Sequence, residues 1–138
     1  MTAIRYFAIA LLAFVSFNAA ARSPVPIVNH PDVAVVSGSG KELTAAQVAQ
    51  AIQVGAATRG WTTVQQGEGK LIATLPLVHR KHTVMVEITY SNRSYSVVYK
   101  DSANMKYGVV DGQPVIHPFY NNWVNDLITA IRLELLKV

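Results

Sequence analysis

Alternating hydrophobic and polar residues along the middle of the chain predict β-strands. The clearest runs are residues 83–90 and 95–100, where apolar side chains occupy every second position. Two earlier runs, residues 61–66 and 70–78, flank a Gly-Glu-Gly sequence that is typical of a hairpin turn. Because the alternate positions are polar, we expect an antiparallel sheet with one face open to solvent.

Helical periodicity appears in the sequence before the first of these strands and again after the last. From residue 45 to residue 59, small and apolar side chains recur every three to four positions, and Thr44 and Gln47 have capping-box spacing. Gly60 follows, as expected for a residue that ends a helix. A second apolar stripe runs from Tyr120 to Leu135 and predicts another amphipathic helix.

The order of predicted elements is α-β-β-β-β-α. Its simplest assembly is a two-layer α+β domain over residues 41–138, with a four-stranded antiparallel meander and both helices on one face. Residues 22–40, rich in Pro, Gly and Ser, are expected to form a flexible lead with room for an edge strand at residues 33–36. Pro76 predicts that its strand lies at an edge or ends early. We interpret residues 101–118 as a loop.

The first 21 residues have a different character. Arg5 precedes an apolar run at residues 6–17, and three alanines follow, which is the order of a secretory signal peptide. The run is shorter than the roughly 20 residues that span a bilayer. We expect cleavage after Ala21, with Ala20 as the alternative site, and an uncleaved anchor is the competing interpretation. Cleavage would give a periplasmic or secreted product without a transmembrane span.

Composition limits the chemistry of the chain. There is no cysteine, which excludes disulfides, thiolate metal sites, cysteine nucleophiles and a lipid-modified cysteine. The net charge is +4, and the cations are scattered rather than grouped. We therefore expect no nucleic-acid partner, and no cofactor is predicted.

Two polar clusters near the strand ends are candidate sites. In residues 79–82, His79 and His82 would point to opposite faces of a strand, and the intervening cations would repel a metal ion. We expect a turn that attracts anions weakly, and no metal site. Asp101, Ser102 and Asn104 form the second cluster, for which both Asx-type turns and side chains projecting into a cleft are open interpretations.

His117, before the last helix, could act as a catalytic base or could cap and pack that helix. No nucleophile elbow, metal-ligand set or phosphate loop accompanies it, so no catalytic residue is assigned. Both tryptophans are expected in the core, with an aromatic binding platform as the alternative.

The meander topology brings several polar residues to one end of the sheet, because alternate turns of a meander share an end. His117 and Asn121 join this end if the final loop folds back. We predict a ligand or partner surface there, made of Arg80, His82, Asp101, Ser102, Asn104, Tyr107, His117 and Asn121.

Several stretches resemble a family of small uncharacterised exported proteins and lipoproteins of proteobacteria. The matching stretches include residues 43–61, 86–90, 95–107 and 116–127, with an Arg-x-His pair at 80–82. Many members carry a cysteine after the signal, which this chain lacks. The resemblance implies export and a single α+β domain, and it brings no activity. The family's recurring polar positions correspond to Arg80, His82, Asp101, Ser102, Asn104, His117, Tyr120, Asn121 and Trp123.

The favoured functional hypothesis is a non-enzymatic periplasmic binding or envelope-interaction module. Its partner would be an envelope protein, peptidoglycan or a small anionic ligand. The alternative is a small hydrolase or isomerase that uses His82 or His117 with Asp101. A structural or stress-related envelope protein without a discrete site is the third hypothesis.

Overall fold

The computed structural model describes residues 22–77 and 81–138. Over these ranges the chain forms two α-helices and two antiparallel sheets, which confirms the predicted α+β class. The helices are α1 (Ala45–Thr58) and α2 (Phe119–Leu135). The strands are β1 (Val25–Pro26), β2 (His30–Ala34), β3 (Thr62–Gln65), β4 (Lys70–Leu77), β5 (His82–Tyr90), β6 (Ser94–Ala103), β7 (Gly108–Val110) and β8 (Gln113–Ile116).

The larger sheet has five strands in the order β2-β6-β5-β4-β3. Strands β3 to β6 are neighbours in chain order, and β2 is added beside β6, so the sheet has one strand more than the four predicted. Residues 22–40, expected as a flexible lead, contribute one strand to each sheet. The predicted signal peptide lies outside the described residues. Neither α1 nor α2 is long and apolar enough to cross a bilayer.

A second sheet, with strand order β1-β8-β7, occupies most of the segment interpreted as a loop. The loop prediction for residues 101–118 is therefore wrong. The hairpin between β7 and β8 turns at Asp111 and Gly112, whose φ angles are +50° and +75°. An Asp-Gly pair between apolar residues is a strong hairpin signal, because both turn positions of a type I′ turn need positive φ. The Asp111-Gly112 pair in the sequence was therefore a local signal for this hairpin.

Helix α1 begins at the predicted capping box. The Thr44 hydroxyl accepts a hydrogen bond from the Gln47 N–H at 3.1 Å, and the Gln47 side-chain oxygen accepts one from the Thr44 N–H at 2.9 Å. Leu43 and Val48, the staple residues on either side, are both buried. The helix ends one residue earlier than predicted, and Gly60 follows with a φ of +80°.

One hydrophobic core joins the two helices to a face of the five-stranded sheet. On that face, Leu71, Ile88 and Val97 lie opposite one another on β4, β5 and β6 and are fully buried. The other face carries more exposed side chains such as Val64 and Val98. The alternation in the sequence thus separates a buried face from an open one.

Pro76 is accommodated by the uneven lengths of two strands. Strand β3 begins at Thr62, opposite Thr74 of β4, so β4 extends past β3 towards Pro76. A residue without an N–H therefore occupies the part of β4 that has no β3 neighbour. Pro76 lies at a local edge, as predicted.

A β-bulge in β6 determines which side chains face the core side near the end of this strand. Met85 lies opposite Asp101 but Val86 lies opposite Tyr99, which leaves Lys100 as the extra residue. Directly opposed residues share a face of a sheet. Ser102, opposite the buried Val84, therefore lies on the core side together with Tyr99, whereas Asp101 lies on the other side.

Candidate functional site

Five polar or aromatic residues gather where β5 and β6 meet the start of α2. We call them the histidine–tyrosine cluster: His82, Tyr99, Ser102, Tyr107 and His117. Their positions depend on the bulge in β6, on the segment that follows it and on the entry into α2.

Three tyrosine rings form the aromatic part of this end. The rings of Tyr99 and Tyr107 are stacked, with centroids 5.0 Å apart and planes inclined by 1°. Tyr120, fully buried on α2, meets Tyr99 edge-on at 5.6 Å. Tyr107 is 49% exposed, so this stack ends in an aromatic ring that solvent or a ligand can reach.

The hydroxyls of Tyr99 and Tyr120 are held neutral by burial. The Tyr99 hydroxyl and the Ser102 hydroxyl are 2.8 Å apart and hydrogen-bonded. Burial raises the pKa of Tyr99, and burial also raises the pKa of Tyr120. Tyr99 and Ser102 can therefore offer hydroxyl donors and acceptors, but no phenolate, near neutral pH.

His117 caps helix α2, which was one of its two predicted roles. Pro118, the N-cap residue, provides no side-chain hydrogen bond. Instead, the Nδ1 atom of His117 accepts from the Phe119 N–H at 3.1 Å, while the His117 N–H donates to the Met105 carbonyl at 2.8 Å. With Nδ1 accepting, the proton of the neutral ring is on Nε2.

The pKa of His117 is lowered, first by burial and then by the positive charges of Lys106, Arg22 and His82. Protonation would also remove the Nδ1 acceptor and add positive charge at a helix N-terminus, which is unfavourable. His117 is therefore a neutral Nε2–H donor near neutral pH, surrounded by cations.

His82 lies on the same side of the sheet as Ser102. It pairs with Leu77 on β4, in register with the buried Val84 two positions along β5. Its Nδ1 atom is buried and has no hydrogen-bond partner among the described residues. A buried imidazole nitrogen without a partner is costly, and a ligand atom that paired with it would remove that cost.

Arg22 adds a cation from the N-terminal segment. Its guanidinium carbon lies 4.7 Å from the centroid of the Phe119 ring, and the rings of Phe119 and His117 are 4.6 Å apart. Trp123, partly buried on α2, continues this aromatic row, whereas Trp61 is 3% exposed and belongs to the core. The prediction that both tryptophans lie in the core is therefore confirmed for Trp61.

Three other predicted site residues use their side chains in hydrogen bonds to the backbone of the fold. Asp101 accepts a hydrogen bond from the Ser102 N–H at 2.8 Å, and Asn104, at a φ of +57°, donates to the Lys81 carbonyl. The Asp101 contact is a bond to the adjacent backbone of the kind the sequence allowed, whereas the Asn104 contact joins the end of β6 to the residue before β5. Asn121 accepts from the Val28 N–H at 3.1 Å and donates to the Pro26 carbonyl at 3.0 Å.

The amide of Asn121 therefore fastens the segment after β1 to helix α2 rather than pointing to a ligand. Arg80 and His79 lie outside the described residues. Within the described ranges, no group of three or more His, Asp and Glu side chains is arranged to hold a metal ion.

Tyr99, Lys106, Arg22 and Phe119 belong to this end and were not predicted. Tyr99 was interpreted as one member of an alternating strand, and its contact with Ser102 depends on the bulge. Arg22 is remote in sequence and reaches the site only because β1 pairs with β8. The one available signal was the Asp-Gly hairpin, which turns the chain back towards β6.

Acidification should weaken the fold before the carboxylates titrate. Burial lowers the pKa of both His117 and His30, with Arg132 as a second cause at His30. Between pH 6.5, where the unfolded chain takes up these protons, and the lower native pKa values, the unfolded state binds more protons. The free energy of unfolding should therefore fall as the pH drops below about 6.5.

Urea unfolding at several pH values between 7.5 and 5 measures this decrease. In a His117→Asn variant, the asparagine oxygen can still accept from the Phe119 N–H, but it does not titrate. The decrease should be shallower in that variant. An identical pH dependence in both proteins would contradict the assigned role of His117.

Comparison of the chain with models of protein families, with curated proteins and with solved structures finds no match.

Proposed function

We propose that the protein is a non-enzymatic binding module of the cell envelope, and that it holds a small anionic ligand at the histidine–tyrosine cluster. The observation that carries this proposal is the grouping of three basic residues around His117: besides burial, Lys106, Arg22 and His82 lower its pKa, and Arg22 also contacts the neighbouring Phe119 ring. Within the described residues, no carboxylate forms an ion pair with any of them. An anion would supply the missing negative charge.

The donors suit a carboxylate or phosphate group. His117 offers Nε2–H, the Tyr99–Ser102 pair offers hydroxyls, and the cations supply charge-assisted hydrogen bonds. The exposed ring of Tyr107 adds a flat apolar surface beside these donors. A ligand with an acidic group fits both features when that group is next to a flat apolar group or next to a sugar ring, whose C–H face can stack on an aromatic ring.

The geometry gives the hydrolase or isomerase alternative no support. Asp101 lies on the opposite side of the sheet from His82, and its carboxylate bonds the adjacent backbone N–H. The Nδ1 atom of His117 is engaged by helix α2. A carboxylate often orients a catalytic imidazole and stabilises the imidazolium that forms, and neither histidine has such a partner among the described residues.

Location in the envelope is part of this proposal and depends on the leader-like residues 1–21. Peptidoglycan and its fragments carry carboxylates beside sugar rings, so they are one source of such a ligand. A free inorganic or organic anion is another. Both sources share the same recognised group.

NMR titration of the imidazole resonances tests the proposal. Inorganic phosphate and a soluble muramyl peptide serve as the two probes. We expect saturable shifts of the His82 and His117 signals, with His30 on β2 as an internal reference that stays unchanged. A response to both probes indicates recognition of the anionic group, and a stronger response to the muramyl peptide indicates that the sugar contributes.

Substitution then identifies the residues responsible. Lys106→Gln should weaken binding about tenfold, the effect of losing one charge-assisted hydrogen bond, and Lys41→Gln, an exposed cation elsewhere, should change nothing. Equal shifts of His30, His82 and His117, or no shift with either probe, would contradict an anion site at this cluster.

A further inference from the structure

One edge of the five-stranded sheet is unprotected. Among residues 22–77 and 81–138, strand β3 pairs with β4 on one side and with no strand on the other. The Gln66 N–H donates to the Lys70 carbonyl at 2.9 Å, which fixes the phase of this ladder. Since hydrogen-bonding direction alternates along a strand, Thr62 and Val64 direct their backbone groups to β4. Thr63 and Gln65 direct theirs away from the sheet.

The opposite edge is closed. Strand β2 contains Pro31, Asp32 has a φ of +49°, and the register shifts between His30 and Val33. A proline, a left-handed residue and a bulge are all features that prevent an edge from pairing with another chain. Residues 61–66 contain no proline and no charged side chain, so β3 has no such protection.

We propose that a second copy of this chain pairs with β3 in an antiparallel, two-fold arrangement centred on Val64. In this register, Thr63 lies opposite Gln65 of the second copy, and each such pair exchanges two backbone hydrogen bonds. Val64 lies opposite its own equivalent in a non-hydrogen-bonded pair, where side chains approach most closely. Val64 is 65% exposed in the single chain, and the pairing covers it.

Charged residues at the two ends of β3 favour a second copy over an unrelated strand. Arg59 precedes the strand and Glu68 follows it, and both are exposed. Neither forms an ion pair within the described residues. In the two-fold register the start of β3 in one copy lies beside the end of β3 in the other, so Arg59 of one copy and Glu68 of the other flank the same end of the interface, twice. The charge pattern of this edge is therefore complementary to itself.

The closed edge at β2 limits the association. Within the five-stranded sheet, as far as the described residues form it, β3 is the open edge, so pairing through this sheet uses one edge of each chain and ends at a dimer with point symmetry. An interface of one short strand is small, so the dimer should be weak and dependent on concentration. The histidine–tyrosine cluster contributes no residue to this dimer interface. Failure of the dimer would therefore leave the proposed anion site unaffected, and the reverse also holds.

Sedimentation equilibrium of the purified chain over a range of concentrations tests the proposal. We expect a monomer–dimer equilibrium. Val64→Lys should raise the dissociation constant at least tenfold, because it places the lysine side chains of the two copies opposite each other on the two-fold axis. Val98→Lys is the matched control, since Val98 is exposed on the same sheet face but on the interior strand β6, and it should have no effect.

Swapping the charges of Arg59 and Glu68 provides a second test, because an unfolded variant would not recover dimerisation when the second substitution is added. Arg59→Glu and Glu68→Arg should each weaken the dimer, and the double variant should restore it to within about threefold of the original dissociation constant. Circular dichroism verifies that each variant is folded. A chain that stays monomeric at every concentration, or a double variant no better than either single variant, would overturn the proposal.

Discussion

Replacing Gly55 by valine should lower the free energy of unfolding by about 3 kcal/mol, the upper part of the range for overpacking a well-packed core. Gly55 lies in α1 where it contacts α2. A Cβ atom there would come within 2.9 Å of both the Cα and the N atoms of Ile131. These are backbone atoms of a helix, so they cannot move aside as a flexible side chain would. The helices would have to separate, and core contacts would be lost.

The matched control is Ala57→Val, at an exposed position of the same helix. It introduces the same β-branched side chain without the contact to α2, and it lowers helix propensity, whereas valine in place of Gly55 raises it. Urea unfolding should show a change below about 1 kcal/mol for this variant. Equal destabilisation by both substitutions would contradict the role assigned to the close approach of the helices at Gly55.

Leu127→Ala should destabilise the protein by about 3 kcal/mol, within the usual range for truncating a buried leucine. Leu127 is fully buried on α2 and belongs to the core shared with the sheet. Removing its branched end leaves a cavity lined by neighbours that are themselves held in place. For a domain of about this size, thermal unfolding should then occur more than about 10 °C lower.

Leu133→Ala on the same helix is the comparison, because Leu133 is 53% exposed. Its truncation should change the free energy of unfolding by no more than about 0.5 kcal/mol. Thermal melts of the two variants under identical conditions make the comparison. Similar melting temperatures for both would contradict the assignment of Leu127 to the core.

The helices and central strands were predictable because their signals are local. Thr44 and Gln47 mark the start of α1 through a hydrogen-bond pattern that needs only four residues of chain. The stripe from Tyr120 to Leu135 predicts α2 to within a residue. In both helices, short-range periodicity agrees with the packing that the rest of the chain imposes.

Pairing between strands that are far apart in the sequence was harder to predict. Nothing near Val25 indicates that it pairs with Ile116, and nothing near His30 indicates that it pairs with Val97. Such contacts depend on the whole fold rather than on local pattern. The Asp-Gly turn at Asp111 was a local signal, but its flanking strands are short and partly exposed, and their alternation is weak.

The candidate site was predicted in outline but not in its membership. The ends of β5 and β6 and the start of α2 lie close together, as predicted. His82, Ser102, Tyr107 and His117 are therefore at one end of the sheet. Strict alternation, however, groups Asp101 with Tyr99 and sends Ser102 to the other face. The structure does the reverse, because of one extra residue in β6.

That extra residue has a consequence for recognising distant relatives of this chain. Because Lys100 is the inserted residue, a chain lacking it would form a regular ladder and still direct its equivalents of Tyr99 and Ser102 to the same side. A spacing of two or of three residues between the tyrosine and the serine is therefore structurally equivalent. An alignment gap at Lys100 should not be counted as loss of the site.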